Sequence, residues 1–369
     1  MAAVISELSA QSDAIEVQFW CDRRFAPQAR AIMQHTTVPV VVRTVISGKL
    51  RRYHGVSLGR QLLDIPTVVK NVIDAFKIVA GFLQSLMRLL IWRPNVVFTK
   101  GGFVCLPIGI AAHVLRIPLV IHDSDTLPGL TNRVLARFAK HILTGSPLEN
   151  YNYSPTIASY VGIPIAKEFY PRTEAERRQI KQHLQMPPEL PLIVATGGGQ
   201  GARRINDALL AVAPKLAGKA TVVHIAGAAD EAYVRRKAPV DPNYKVFGFV
   251  SKEMSDLFGA ADIVISRAGA NALQELAASA APTIIIPNGF LTGGHQLKNA
   301  AVFAKAKAAI VLLEAEIETP KGLLDAIEKL LASPELRQSY RDTFCTFARP
   351  DAAKQTASVI INTAKKQRT

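Results

Sequence analysis

Unbroken apolar runs such as Leu192-Ile-Val-Ala-Thr196 and Thr283-Ile-Ile-Ile-Pro287 constrain this chain most. A strand with one wet face alternates polar and apolar residues, so a continuous β-branched run must be covered on both faces. Helical crossovers between parallel strands give that cover. The runs form two series. The first is Ile15–Cys21, Val38–Ile46, Asn95–Thr99, Pro118–His122, His141–Thr144 and Ile157–Val161. The second is Leu192–Thr196, Thr221–Ile225, Lys245–Phe249, Asp262–Ser266, Thr283–Pro287 and Ala309–Leu313. Stretches with helical spacing lie between them. The expectation is an α/β protein of two Rossmann-like, doubly wound parallel-sheet domains joined near Gly162–Tyr170. Residues 1–163 would form the first, 164–345 the second, and 346–369 a closing helix that packs back on the first.

A chain of 369 residues is long enough for two such cores. Its three cysteines, Cys21, Cys105 and Cys345, are scattered and form no CxxC, which argues against a disulfide framework or a zinc site and fits a reducing cytosol. No secretory leader is legible at the start, where Glu7, Asp13 and Glu16 interrupt the pattern. The most apolar stretches, Ile78–Trp92 and Val104–Ile121, are broken by Arg, His, Gln or Pro, so neither reads as a convincing membrane span.

The formal charge of +15 draws polyanions or anionic lipid. Nucleic acid is not expected, because aromatic residues are only 7% and no basic run alternates with stacking rings. Lys70, Lys77, Arg88 and Arg93, with Arg51, Arg52 and Arg60 before them, flank apolar positions from Val68 to Leu89. That mixture suits peripheral contact with an anionic membrane, and it equally suits a crossover helix facing its own sheet.

Residues 266–299 read as a nucleotide-sugar pocket. A buried strand ends at Ser266-Arg267-Ala268-Gly269-Ala270-Asn271, where small residues let a phosphate approach the amides of a helix N-terminus. Glu275, one turn into that helix, can accept hydrogen bonds from a ribose diol. His295, Gln296 and Asn299 offer the neutral donors and acceptors a sugar needs. Upstream, Gly197-Gly198-Gly199-Gln200-Gly201-Ala202 follows a strand and can wrap a diphosphate. It matches a dinucleotide fingerprint poorly, since the next strand ends without an acid, and no Walker lysine follows.

The first half places Gly101-Gly102-Phe103 and His122-Asp123-Ser124-Asp125 through Asn132-Arg133 at the carboxyl ends of strands, where doubly wound sheets put their sites. His122, Asp123 and Asp125 are candidates for taking a proton from a sugar hydroxyl. Equally, Asp125 or Thr131 can cap a helix and His122 can be a hydrogen-bonded loop residue. No metal cluster and no cofactor motif is apparent.

Gly101–Val104, His122–Arg133, Gly197–Arg203, Ser266–Glu275 and His295–Asn299 together resemble, in order and separation, the MurG-type enzymes of glycosyltransferase family 28. That resemblance implies a GT-B fold, two Rossmann-like domains facing across a cleft. It implies inverting transfer of N-acetylglucosamine from UDP-N-acetylglucosamine to a lipid-linked muramoyl-pentapeptide at the cytoplasmic face of the membrane. Glu275 would hold the ribose, the backbone near Val250 the uracil, Gly198, Gly199 and Gln200 the diphosphate, and Gln296 the sugar. Gly101, Gly102, Phe103 and Asn132 would meet the acceptor, with Asp125 at the junction.

The chain also departs from that pattern. The family's first strand and its glycine-histidine loop have no counterpart, since Met1-Ala-Ala-Val-Ile-Ser-Glu-Leu already reads as a helix. A shortened gene model, a rearranged domain or lost activity would each account for this, the first being favoured. Gly199 replaces a serine, Asp123 and Asp125 replace Glu and Asn, and Ala166 replaces an arginine. Related acceptors such as diacylglycerol or another polyprenyl lipid, and a non-catalytic nucleotide-sugar-binding or scaffold role, are the alternatives.

Overall fold

The computed structural model describes residues 1–12, 15–49, 64–198, 201–289 and 294–366. It divides into two compact units, Met1–Ala166 with Arg349–Thr369, and Lys167–Ala348. The first unit runs α1 (Ala2–Gln11), β1 (Val17–Cys21), α2 (Ala26–Met33), β2 (Val40–Thr44), α3 (Ile65–Trp92), β3 (Val97–Thr99), α4 (Cys105–Val114), β4 (Leu119–Asp123), α5 (Leu130–Leu135), β5 (His141–Thr144) and β6 (Ala158–Tyr160).

All its strand pairs are parallel. They form two sheets, β1-β2 and β3-β4-β5-β6, in a domain whose sequence shows no counterpart of the family's first strand. Among the described residues, no strand pairs with the free edge of β1 or of β3, so no ladder joins the sheets. Side chains fasten the small sheet to α3 instead. Arg88 donates to the Thr44 carbonyl at 2.6 Å, Gln84 accepts from the Ile46 amide at 2.9 Å, and Trp92 Nε1 donates to Glu16 at 2.9 Å.

Helix α3 starts where the Asp64 carboxylate accepts from the Thr67 amide and hydroxyl, and stops at Arg93 in the left-handed region before Pro94. Its inner face buries Leu89 and packs Phe82 and Leu86 into a core with Ile108, Ala111, Leu119 and Ile121. Gly81 is required there, because a Cβ would fall 1.9 Å from the Ile46 carbonyl oxygen. The other face leaves Ile65, Val69, Val72, Phe76, Val79, Leu83 and Ile91 exposed. Thr67–Trp92 is long and apolar enough to cross a membrane, at mean hydropathy 1.4, which the broken apolar pattern had argued against. The structure nonetheless lays it along the first unit, tied there by Arg88 and Gln84.

The second unit comprises α6 (Glu174–His183), β7 (Leu192–Thr196), α7 (Arg203–Leu216), β8 (Thr221–Ile225), α8 (Glu231–Lys237), β9 (Tyr244–Phe247), α9 (Met254–Ala260), β10 (Ile263–Ser266), α10 (Ala270–Ala278), β11 (Thr283–Ile285), α11 (His295–Lys305), β12 (Ile310–Val311), a 3-10 turn at Glu314–Ile317, α12 (Pro320–Ala332) and α13 (Pro334–Cys345). Its parallel sheet has the order β12-β11-β10-β7-β8-β9. The chain winds one way from β7 to β9, then crosses back to β10 and winds the other way. The two directions part between β7 and β10, and doubly wound sheets place their ligand crevice at such a switch point, here beyond the carboxyl ends of Thr196 and Ser266. Two apolar layers sandwich the sheet, one built on Leu209, Val212 and Ile327, the other on Phe258, Leu276 and Phe344.

At the opposite edge Asp262 accepts from Arg177, from Lys181 at 2.9 Å and from the Leu192 amide at 2.8 Å. Burial alone would raise its carboxyl, but the two cations and the amide outweigh it and hold the group below the usual carboxylate range. The chain then returns to the first unit as α14 (Ala352–Lys365). Gln11 on α1 donates to the Lys354 carbonyl and accepts from Ser358, and Val359 packs on Val120, Leu143 and Val161.

Candidate functional site

The crevice of the second unit is lined with backbone. After β7 the chain turns through Gly198, at φ +82°, whose amide donates to Thr196 Oγ1 at 3.1 Å. Gly201, at φ +78°, lies flat on the next strand exit, since a Cβ there would fall 2.4 Å from the Ala226 carbonyl oxygen. Gly199 and Gln200 lie outside the described residues. A Cβ at Gly198 or at Gly269 would meet nothing within 4 Å, so both positions face open space into which a ligand can press.

Three helices open on this edge without a side-chain cap: α7 behind Ala202, α10 behind Gly269 and α11 behind Gly294. Their first-turn amides are the groups an anion needs. Ala270 and Asn271 form the first turn of α10, Asn271 exposed and Glu275 half-buried one turn on. Val250 follows β9 and packs against the second apolar layer. His295 opens α11 with Nδ1 buried and, among the described residues, unpartnered, a polar atom that a ligand hydroxyl would satisfy.

The structure gives scaffold contacts to three residues placed by the sequence in the UDP-sugar pocket. Arg267 is buried, its guanidinium donating to the Ile286 carbonyl at 3.2 Å and pairing with Glu314 at 2.6 Å. Asn299 is 4% exposed and donates to the Ala268 carbonyl at 3.1 Å. Gln296 uses its oxygen to accept from the Asn288 amide at 2.9 Å. Each of these side chains holds a loop of the crevice, because a backbone group leaving a strand end needs a partner.

A buried relay, which no sequence motif flags, ties β8 and its exit to the first turn of α7. The Tyr244 hydroxyl donates to His224 Nδ1 at 2.8 Å and His224 Nε2 donates to Asn206 Oδ1 at 2.9 Å. Asn206 passes its own amide hydrogens to the Ala226 carbonyl at 3.0 Å and to Asp230 at 3.1 Å. That direction follows from Asn206 Oδ1 being only an acceptor. Burial lowers the His224 pKa to about 4, so the ring stays neutral. Asp230 also pairs with Arg203 on the first turn of α7.

In the first unit, Gly101 and Gly102 leave β3 at φ +80° and +88°, with Phe103 half-buried beyond them. A Cβ on Gly101 would fall 3.0 Å from Asn132 Nδ2, which donates to the His122 carbonyl at 3.1 Å. Asn132 therefore positions the β4 exit. His122 is fully buried; its Nε2 donates to the Gly162 carbonyl at 2.8 Å, and Ser124 donates to Nδ1. Burial, then Lys100, lowers its pKa to about 3. A ring with both nitrogens engaged is a tie between β4 and the chain leaving this unit, not a base open to an acceptor.

Asp123 is 3% exposed and accepts from the Tyr153 hydroxyl at 2.8 Å. Burial raises its carboxyl despite the bonds from Tyr153 and Asn132. Asp125 is partly exposed, its backbone carbonyl held by the Tyr151 hydroxyl at 2.7 Å. Tyr151 and Tyr153 stack with centroids 5.6 Å apart. Their spacing of two along an extended chain puts both rings on one side of it.

Residues 16–144 match the glycosyltransferase family 28 N-terminal domain and residues 192–356 match its C-terminal domain. The chain belongs to glycosyltransferase family 28. It is 34% identical to the UDP-N-acetylglucosamine--N-acetylmuramyl-(pentapeptide) pyrophosphoryl-undecaprenol N-acetylglucosamine transferase of Geobacillus thermodenitrificans, over 87% of this chain and 84% of that protein. To the enzyme of the same description from Lachnoclostridium phytofermentans it is 36% identical, over 74% of this chain and 75% of that one. Among solved structures, Acinetobacter baumannii MurG superimposes with a TM-score of 0.70 at 22% identity, covering 98% of this chain and 94% of that one. The fold is GT-B.

Proposed function

We propose that this chain transfers N-acetylglucosamine from UDP-N-acetylglucosamine to undecaprenyl-diphospho-muramoyl-pentapeptide, the step from lipid I to lipid II of peptidoglycan synthesis. The observation that carries the donor half is the row of uncapped helix N-termini beside open-sided Gly198 and Gly269. Amides fixed there stabilise the charge on departing UDP by a few kcal/mol where water is excluded. Glu275 takes the ribose hydroxyls, the backbone at Val250 the uracil, and His295 a sugar hydroxyl.

Asp125 accepts the proton of the attacking sugar hydroxyl, because a base must first be reachable and Asp123 is covered by Tyr153. Asp123, His122 and Asn132 hold the loop, with Gly101, Gly102 and Phe103 beside the acceptor. The acceptor is lipid-borne, and the exposed apolar face of α3 flanked by Lys70 and Lys77 seats the first unit on the cytoplasmic, anionic face of the membrane.

Incubation of the protein with labelled UDP-N-acetylglucosamine and either lipid I or a diacylglycerol tests the assignment. Label should appear only on lipid I. Transfer only to diacylglycerol would replace the acceptor, and UDP-sugar binding without turnover would make the protein a binding module.

A further inference from the structure

One carboxylate links the strand exits that surround the crevice. Glu314 opens the 3-10 turn after β12 and is 8% exposed. Its Oε1 pairs at 2.6 Å with Arg267, at the exit of β10, and its Oε2 accepts at 3.2 Å from Arg204, in the first turn of α7. Arg267 in turn holds the Ile286 carbonyl just beyond β11. The exits of β10, β11 and β12 and the helix that follows β7 are thus joined through one buried acid.

We propose that Glu314 is a positioning residue for the donor site, setting the separation between the α7 and α10 N-termini on which UDP rests. The inference rests on the donor-site reading above. Burying a carboxylate carries a desolvation penalty that an apolar side chain of similar volume would avoid. An ion pair shared by two arginines from different elements fixes geometry in a way apolar packing does not. The two halves differ usefully: Arg267 is buried, whereas the Arg204 side chain is 49% exposed, so losing the outer half removes positioning with little loss of core.

The test is a double-mutant cycle on the full chain, Glu314→Gln, Arg204→Met and the two together, reading UDP affinity by calorimetry, the split between KM for UDP-N-acetylglucosamine and kcat, and thermal melting. Each single change should weaken UDP binding about tenfold, the double no more than the larger single, because both break one link. Arg204→Met should melt close to the parent while raising KM. Additive losses would make Arg204 an independent ligand and overturn the proposal. So would unchanged affinity with a lowered melting temperature, which is the signature of a purely structural pair. If Glu314→Gln does not fold, Arg204→Met decides alone: unchanged UDP affinity overturns it. Gly198→Ala and Glu275→Ala serve as controls. If neither weakens UDP binding, the donor-site reading fails; if both do and the cycle is silent, only the role of Glu314 fails.

Discussion

His224 Nε2 donates to Asn206 Oδ1 across 2.9 Å of fully buried space, joining the second strand of the sheet to the helix that carries the glycine loop. Nothing charged can replace that neutral ring. The contact makes the fold sensitive to acid in a definite window.

The pKa of His224 falls from 6.5 to about 4 on folding, so between those values the unfolded chain binds a proton that the folded chain refuses. Stability conferred by the neutral ring is complete above pH 6.5 and declines as pH drops toward 4, by up to roughly 3 kcal/mol. His122 shifts in the same direction, to about 3, and adds to the slope. Thermal melts across pH 4 to 7 should fall more steeply for the parent than for His224→Gln. Parallel curves would mean that the ring is not held neutral.

Glu275→Ala should weaken UDP binding by about 1–3 kcal/mol, the worth of hydrogen bonds to a charged acceptor, with melting little changed because the residue is half-buried at the surface of α10. Calorimetry with UDP checks it. An affinity equal to the parent's removes Glu275 from the pocket.

Gly198→Ala places a side chain at φ +82°, where an L residue costs about 1 kcal/mol, and fills the open space above the loop. Loss of UDP affinity should exceed the loss of stability. The reverse ranking would mean that the loop serves folding rather than the diphosphate.

Asp125→Asn should lower kcat by about 10²–10⁴ and leave KM for UDP-N-acetylglucosamine near the parent value, as expected of a general base that does not touch the donor. Should Asp123→Asn produce that pattern instead, the buried carboxyl raised by desolvation would be the proton acceptor and the assignment would be exchanged.

Phe76→Asp with Leu83→Asp puts two acids on the exposed face of α3, residues 73% and 53% exposed, so folding should be unaffected. Sedimentation with vesicles containing anionic lipid should show binding lost while UDP affinity is kept. Retained vesicle binding would leave α3 as a surface helix with no membrane role.

The class of fold was legible in the chain because it depends on local chemistry. Runs such as Leu192–Thr196 specify two-sided burial wherever they fall, and glycines at 198 and 201 specify a loop only they can form. Tertiary structure alone decided which polar side chains face the crevice. Arg267, Asn299 and His122 look like ligands by type and position, yet each is claimed by a backbone carbonyl from a distant segment: Ile286, Ala268 and Gly162. Asn206, Tyr153 and Glu314 are likewise spent on side chains that lie between 18 and 110 residues away. The division of the first unit into two sheets is equally non-local, since strand pairing is a contact between edges and no single strand encodes it. A side chain's type is written in the sequence; whether its hydrogen bonds are spent on the scaffold or left for a ligand depends on which chain segments burial brings together.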